Sequence, residues 1–147
     1  MRSRPRNCFH RAIDVIIFLD TNIVIYLIEN PPIFGIGASG RISALRAAGH
    51  TFAVSDLVRL ECRVMPIRRS NASLLNHYDA FFASPQVQVL ALTGSVCDRA
   101  TILRASYNFK TPDALQLGAA IVYGSDSFLT NDARLGACRD IPIEVLT

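Results

Sequence analysis

Four acidic residues stand where carboxylates are awkward. Asp20 ends the apolar run Val15-Ile16-Ile17-Phe18-Leu19, and Glu61 interrupts an apolar helical stripe. Asp113 follows Thr111-Pro112 at a predicted helix start, and Asp132 closes Phe128-Leu129-Thr130-Asn131-Asp132. Carboxylates drawn into one pocket from four distant segments repel one another unless cations fill it. Oxygen ligands without cysteine or histidine favour magnesium or manganese over zinc. Ions of that kind lower the pKa of a bound water and polarise a phosphoryl group.

Each acid also has a local explanation. Asp20 can cap the helix that opens at Thr21-Asn22. Asp113 favours a helix dipole, an effect of about 0.3–1 kcal/mol, and shares a face with Leu117, Ala120 and Ile121. Asp132 can do the same, with Thr130 or Asn131 as the cap. Glu61 is harder to explain locally, because its neighbours at three and four positions are Leu57, Val58, Val64 and Met65. A carboxylate on that stripe faces the core or a pocket, and burying it unpaired is expensive. It needs an arginine or a metal, and Arg59 and Arg63 point elsewhere on the helix. Independent caps do not explain why Glu61 accompanies the other three. Asp56, Asp98 and Asp126 read more simply as first-turn, solvent-facing and turn residues.

The elements that must carry these acids alternate along the chain. Residues 15–19 form a short β-rich run and predict a buried strand. A helix follows over Ile23–Ile28 and ends at Pro31-Pro32, after which Gly35, Gly37 and Gly40 predict a flexible connection. Arg41–Ala48 predicts a helix stopped by Gly49, and Thr51–Val54 a second strand. Ser55 caps a helix that runs to about Met65, and Asn71–Phe82 is the next. A strand at Val87–Leu92 leads to a helix opened by Thr93 or Ser95 and running to about Ser106. Thr111-Pro112-Asp113 opens another, which runs to Tyr123 and ends at Gly124. Ser127–Leu129 is a strand, Asn131–Ala137 a short helix and Ile141–Leu146 a last strand. Such alternation predicts an α/β fold with a mainly parallel sheet covered on both faces. Ligands in these folds bind beyond the carboxyl ends of the strands, where Asp20 and Asp132 belong.

Bulk properties narrow the possibilities. The chain has 147 residues, half of them apolar and 18% charged, which fits one globular domain over residues 15–147. Its apolar runs are far shorter than a membrane span. No convincing signal-peptide core or cleavage site is visible, so a cytoplasmic location is expected. Net charge is +3, and 14 of the 15 cations are arginine, whose planar fork suits phosphate and carboxylate. Arg59, Arg63, Arg68 and Arg69 cluster mid-chain. Arg2, Arg4, Arg6 and Arg11 make residues 1–14 a basic arm, expected to be solvated and disordered. Cys8, Cys62, Cys97 and Cys138 lack metal-site spacing and read as reduced thiols. His10, His50 and His77 have no matched spacing and read as surface or core residues.

Phe18-Leu19-Asp20-Thr21-Asn22, Leu60-Glu61-Cys62, Thr111-Pro112-Asp113-Ala114 and Leu129-Thr130-Asn131-Asp132, in that order, resemble the PIN-domain family. The likeness is greatest to the VapC-type ribonuclease toxins of toxin–antitoxin pairs. It implies a three-layer α/β/α sandwich in which Asp20, Glu61, Asp113 and Asp132 are catalytic and bind Mg2+ or Mn2+. It further implies that Thr21, Asn22, Thr130 and Asn131 buttress the site. The implied partners are an RNA substrate, a small antitoxin protein and a second copy of the chain, with no membrane. Cys62 and Arg63 depart from the apolar residues usual after the glutamate, and the amino-terminal arm is long.

Other readings have specific requirements. A haloacid-dehalogenase-like phosphatase wants a second aspartate where Asn22 stands. A receiver domain wants paired early acids and a lysine after a late strand, whereas the only lysine is Lys110. A non-toxin nuclease, or a silent RNA- or protein-binding module, would keep the same fold.

Overall fold

The computed structural model describes residues 15–147, and the basic arm assigned to residues 1–14 lies outside them. Five short strands form one sheet: β1 (Ile16–Leu19), β2 (Thr51–Ser55), β3 (Val87–Leu90), β4 (Ser127–Thr130) and β5 (Ile143–Val145). Their order is β3-β2-β1-β4-β5, and every pairing is parallel. The helices are α1 (Thr21–Glu29), α2 (Phe34–Ala47), α3 (Asp56–Arg68), α4 (Ala72–Phe82), α5 (Gly94–Tyr107) and α6 (Thr111–Val122). A 3₁₀ turn covers Ala133–Ala137.

The chain steps outward from β1 to β2 and β3, then returns to β4 on the other side of β1. Right-handed crossovers in opposite directions put α1–α4 on one face of the sheet and α5–α6 on the other. The result is the three-layer α/β/α sandwich that the family resemblance implied, and its sheet, expected to be mainly parallel from the alternation, is parallel throughout. The central strands β1, β2 and β4 have continuous apolar centres because both faces are covered, whereas the edge strands β3 and β5 carry Gln88 and Glu144. Phe18, Leu19, Phe52, Ala53, Val54, Phe128 and Leu129 are fully buried. Phe18 and Phe128 are register partners on β1 and β4, and their rings stack with centroids 5.1 Å apart.

Local chemistry sets the helix ends. Ser55, Asn71 and Thr93 accept bonds from the amides of Val58, Leu74 and Val96 and so cap α3, α4 and α5. Asn30 and Asn108 close α1 and α5 in the left-handed conformation. Several boundaries tighten relative to expectation: the third strand stops at Leu90, the last spans Ile143–Val145, and the segment after β4 is a 3₁₀ turn.

One expectation is overturned. Gly35, Gly37 and Gly40 do not make a flexible connection but lie inside α2. Gly35, Ala38, Ile42 and Leu45 recur at helical spacing and are buried. That burial outweighs the helix penalty of about 1 kcal/mol per glycine. Gly35 has its own reason: a Cβ there would lie 2.4 Å from Asn30 Oδ1 and 2.6 Å from Asn30 Cα. Its lack of a side chain lets α2 start against the end of α1. No single helix among the described residues is long and apolar enough to cross a membrane.

Candidate active site

Strand order reverses direction between β1 and β4, and a crevice forms where the neighbouring connections leave on opposite faces. Asp20 stands there as the N-cap of α1. Its Oδ1 accepts the Thr21 amide at 2.8 Å, and its Oδ2 accepts the Thr130 hydroxyl at 2.7 Å. Thr130 is the last residue of β4 and is fully buried. Its Oγ1 also accepts the Asp132 amide at 3.0 Å, so one hydroxyl ties together the ends of two neighbouring strands.

Glu61 comes from α3. Its Oε1 accepts the Thr21 hydroxyl at 2.5 Å and the Gln116 amide nitrogen at 3.3 Å. Gln116, on α6, is 2% exposed and accepts the Ser55 hydroxyl at 2.6 Å through Oε1. Its Nε2 also donates to Thr21 Oγ1 at 3.3 Å. A continuous polar chain thus joins β2, α6, α1 and α3. The donors that the protein itself supplies to Glu61 are neutral. Arg59 and Arg63 pair instead with Asp56 at 3.1 Å and Asp79 at 3.2 Å. The apolar stripe also divides: Val58 and Cys62 are buried, whereas Val64 and Met65 are exposed. Glu61 lies at the margin of the core face and not in the middle of it.

Asp113 lies in the first turn of α6, and Asp132 caps the 3₁₀ turn. Both Asp132 oxygens are taken by Arg134. Oδ1 accepts its amide and Nε at 3.0 Å each, and Oδ2 accepts Nη2 at 2.5 Å. The same Nη2 is 4.0 Å from Asp113 Oδ2, so the guanidinium stands between two acids.

The electrostatics show that these groups interact. Burial pushes the Asp20 carboxyl up to about 6, against the lowering effect of its Thr130 and Thr21 bonds, and Asp113 and Glu61 add to the rise. Asp113 is also raised, first by burial and then by Asp132, while Arg134 and Lys110 oppose the shift and Glu61 adds to it. Asp132 is lowered, chiefly by its bond to Arg134.

The remaining sequence candidates fall into two groups. Thr21 and Thr130 bond the acids directly. Asn22 and Asn131 approach each other at 3.4 Å, and Asn131 donates to Tyr26 at 2.8 Å, which stitches α1 to the turn after β4. Asp126 accepts the Ile16 amide at the opposite edge of the sheet. Asp56 pairs with Arg59, and Asp98 is exposed on α5. His50 precedes β2 at the amino edge, and His77 is exposed on α4. Cys62, Cys97 and Cys138 are free thiols. Cys8 and His10 lie outside the described residues.

Gln116 and Arg134 are the site residues that sequence reasoning missed. A signal existed for Gln116: it lies three positions after Asp113, a lone amide among Ala114, Leu117, Gly118, Ala119 and Ala120. Arg134 offers only its closeness to Asp132.

The donor set suits a hard cation of the magnesium type, since its carboxylate oxygens are joined by no thiolate or imidazole. Among the described residues, no three acid, histidine or cysteine side chains close around a single point to form a cage. Magnesium does not require one. It keeps several waters and binds through one or two carboxylates together with substrate phosphates.

Comparison with curated proteins finds no match. Among solved structures, VapBC2 from Rickettsia felis, bound to a DNA fragment from its promoter, superposes with a TM-score of 0.74 at 18% identity, covering 90% of this chain and 100% of that one. A toxin–antitoxin complex from Klebsiella pneumoniae gives 0.65 at 21% identity, with 84% and 93% covered. VapC20 from Mycobacterium tuberculosis, a toxin that cleaves the sarcin–ricin loop, gives 0.61 at 19%, with 76% and 86% covered. At these identities the likeness establishes the shared fold. The family model of the PIN domain matches residues 17–139, nearly the whole sandwich, and the chain therefore belongs to the PIN-domain family.

Proposed function

We propose that this chain is an Mg2+- or Mn2+-dependent ribonuclease, the toxin of a toxin–antitoxin pair acting in the cytoplasm. One observation carries the reading. Four acids from separate segments meet at the strand-order reversal, with the Asp20 carboxyl pushed up to about 6 by burial and by its acidic neighbours. A part-buried group of carboxylates, in which Asp20 and Asp113 are raised by desolvation and by their acidic neighbours, is stabilised by a bound cation.

Asp20 and Asp113 would hold the ion, with Glu61 and Asp132 acting directly or through water. When bound, it supplies a water of lowered pKa and polarises the phosphoryl oxygens. The residues of this chain do the rest. Thr130 and the Thr21 amide fix both Asp20 oxygens, and Thr21 and Gln116 fix Glu61. Arg134, clamped by Asp132, keeps its Nη1 N–H groups for a phosphate oxygen. Because such a site grips phosphate, it imposes no base sequence by itself.

A small antitoxin and a second copy of the chain are the proposed protein partners. The likeness to a solved toxin–antitoxin complex supports the first. Exposed Ile33, Phe34 and Ile36 near the start of α2, and Leu60, Val64 and Ile67 on α3, supply apolar surface for association.

Purified protein is expected to cleave single-stranded RNA with magnesium or manganese and not with a chelator. Asp20→Asn is expected to reduce cleavage to background while leaving the circular dichroism spectrum unchanged. Equal cleavage by the mutant would assign the activity to a contaminant or another site. Expression is expected to arrest growth, and co-expression of a small protein from the adjoining reading frame to relieve it. Robust RNA cleavage without arrest would instead make the chain a nuclease of another role.

A further inference from the structure

Beside Asp113 a cavity of about 460 Å3 opens between the end of α5, the start of α6 and the 3₁₀ turn. That volume suits one nucleotide-sized group. Its lining includes Arg104, Lys110 and Arg134, with Asp113 as the one acid. Four of the eight cations elsewhere in the described residues have acidic partners: Arg41 with Glu144, Arg59 with Asp56, Arg63 with Asp79 and Arg99 with Asp140. In this cavity three cations converge on one acid, and only Arg134 is ion-paired, with Asp132 and Asp113. Arg104 bonds the Phe109 carbonyl at 2.8 Å and the Thr111 hydroxyl at 3.1 Å, both neutral. Neither Arg104 nor Lys110 forms an ion pair with a carboxylate among the described residues.

The wall that carries them is built to hold its shape. Asn108 turns the chain sharply in the left-handed conformation, with φ at 58°. Tyr107 and Phe109 stack on either side of it, with centroids 5.1 Å apart. Tyr107 is held in turn by its bonds to Asp140 and to the Arg139 amide. Cations on a supported loop, next to acids on a shared rim, form a two-part surface for a chain of phosphates. The three cationic side chains offer hydrogen-bond donors and no acceptor, which suits phosphate oxygens and does not discriminate between bases.

We propose that this cavity is a phosphate subsite, which holds an internal phosphate of single-stranded RNA next to the one cut at the acids. This rests on the ribonuclease reading and extends it to the path of the substrate. Lys110 is the residue that tests it, because it is exposed and its side chain makes no capping bond to α6.

The experiment measures binding of a 3′-labelled single-stranded RNA by fluorescence anisotropy across a potassium chloride series. It is done in the Asp20→Asn background, so that the RNA stays intact. Adding Lys110→Gln is expected to weaken binding several-fold and to make the salt dependence shallower by about 0.7 in log–log slope, the value for one lost single-strand phosphate contact. Lys110→Arg is expected to keep both values. Arg69→Gln, an equal change of charge outside this cavity, is expected to leave the slope unchanged. Equal effects of Lys110→Gln and Arg69→Gln would reduce the subsite to bulk charge and overturn it. A Lys110 dependence seen only with 5′-phosphorylated RNA would overturn the internal-phosphate assignment in favour of an end. If wild type cuts RNA while Lys110→Gln binds with unchanged affinity and slope, the subsite alone is wrong. If wild type neither binds nor cuts RNA, both readings fall.

Discussion

At Asp20 two accepted hydrogen bonds favour the charged carboxylate, yet burial and two acidic neighbours move its pKa up to about 6. The unfolded chain titrates this group near its ordinary value of 3.8. Below that value the side chain is neutral in both states, and its contribution to stability is fully present. As pH rises through about 6, the folded state must ionise a group that its surroundings resist ionising, and stability is lost. A rise of this size corresponds to at most about 3 kcal/mol. Without metal, Asp20→Asn is therefore expected to stabilise the fold by about 1–2 kcal/mol at pH 8, since the amide keeps only one acceptor oxygen. The gain should vanish near pH 4. Urea unfolding in a chelator at both pH values measures it, and a net loss at pH 8 would show that the carboxylate is not strained. The acids themselves were legible in the sequence, because a carboxylate at the end of an apolar strand or on an apolar helix contradicts its surroundings. Gln116 and Arg134 contradict little, since an amide fits a helix and an arginine fits a polar turn. Their roles exist only where α6, α3 and the turn after β4 meet.

Elements were legible for a different reason. Parallel strands buried on both faces must be short, continuous apolar runs, and those runs stand out between capping residues such as Ser55 and Thr93. At Gly35, Gly37 and Gly40 local sequence signals pointed to a connection where packing makes a helix. Helix propensity is local, whereas the burial of Ala38, Ile42 and Leu45 depends on α1 being in place. The three glycines are consequently not equivalent. Gly37 and Gly40 have open space at the Cβ position, while Gly35 faces the Asn30 backbone. Alanine at position 37 or 40 is expected to stabilise the fold by roughly 0.5–1 kcal/mol, by lowering the entropy of the unfolded chain and favouring helix. Alanine at 35 is expected to destabilise it by about 1–3 kcal/mol through overpacking. Thermal unfolding of the three single variants measures the contrast. A stabilising Gly35→Ala would mean that α2 does not start against Asn30.

On the scale of the whole molecule, the sandwich brings Glu61 from the layer on one face and Asp113 from the layer on the other. Asp20 and Asp132 stand at the strand ends between them. Repulsion among the acids loads the crevice, and the polar chain through Gln116 resists that load from both sides. A divalent ion held by Asp20 and Asp113 would stabilise the whole fold and not one loop. At manganese concentrations near 100 times Kd, linkage gives about 2.7 kcal/mol. For a chain of this size that is a rise in Tm of roughly 5–10 °C. The ion must displace the proton held by Asp20, so the rise should be full at pH 7.5 and shrink as pH falls through about 6. Asp20→Asn and Asp113→Asn should each lose most of it at every pH. Thermal unfolding with and without manganese at pH 7.5 and pH 5 measures this. A shift of equal size in Asp20→Asn would place the ion elsewhere on the surface, and the crevice would then hold its acids by hydrogen bonding alone.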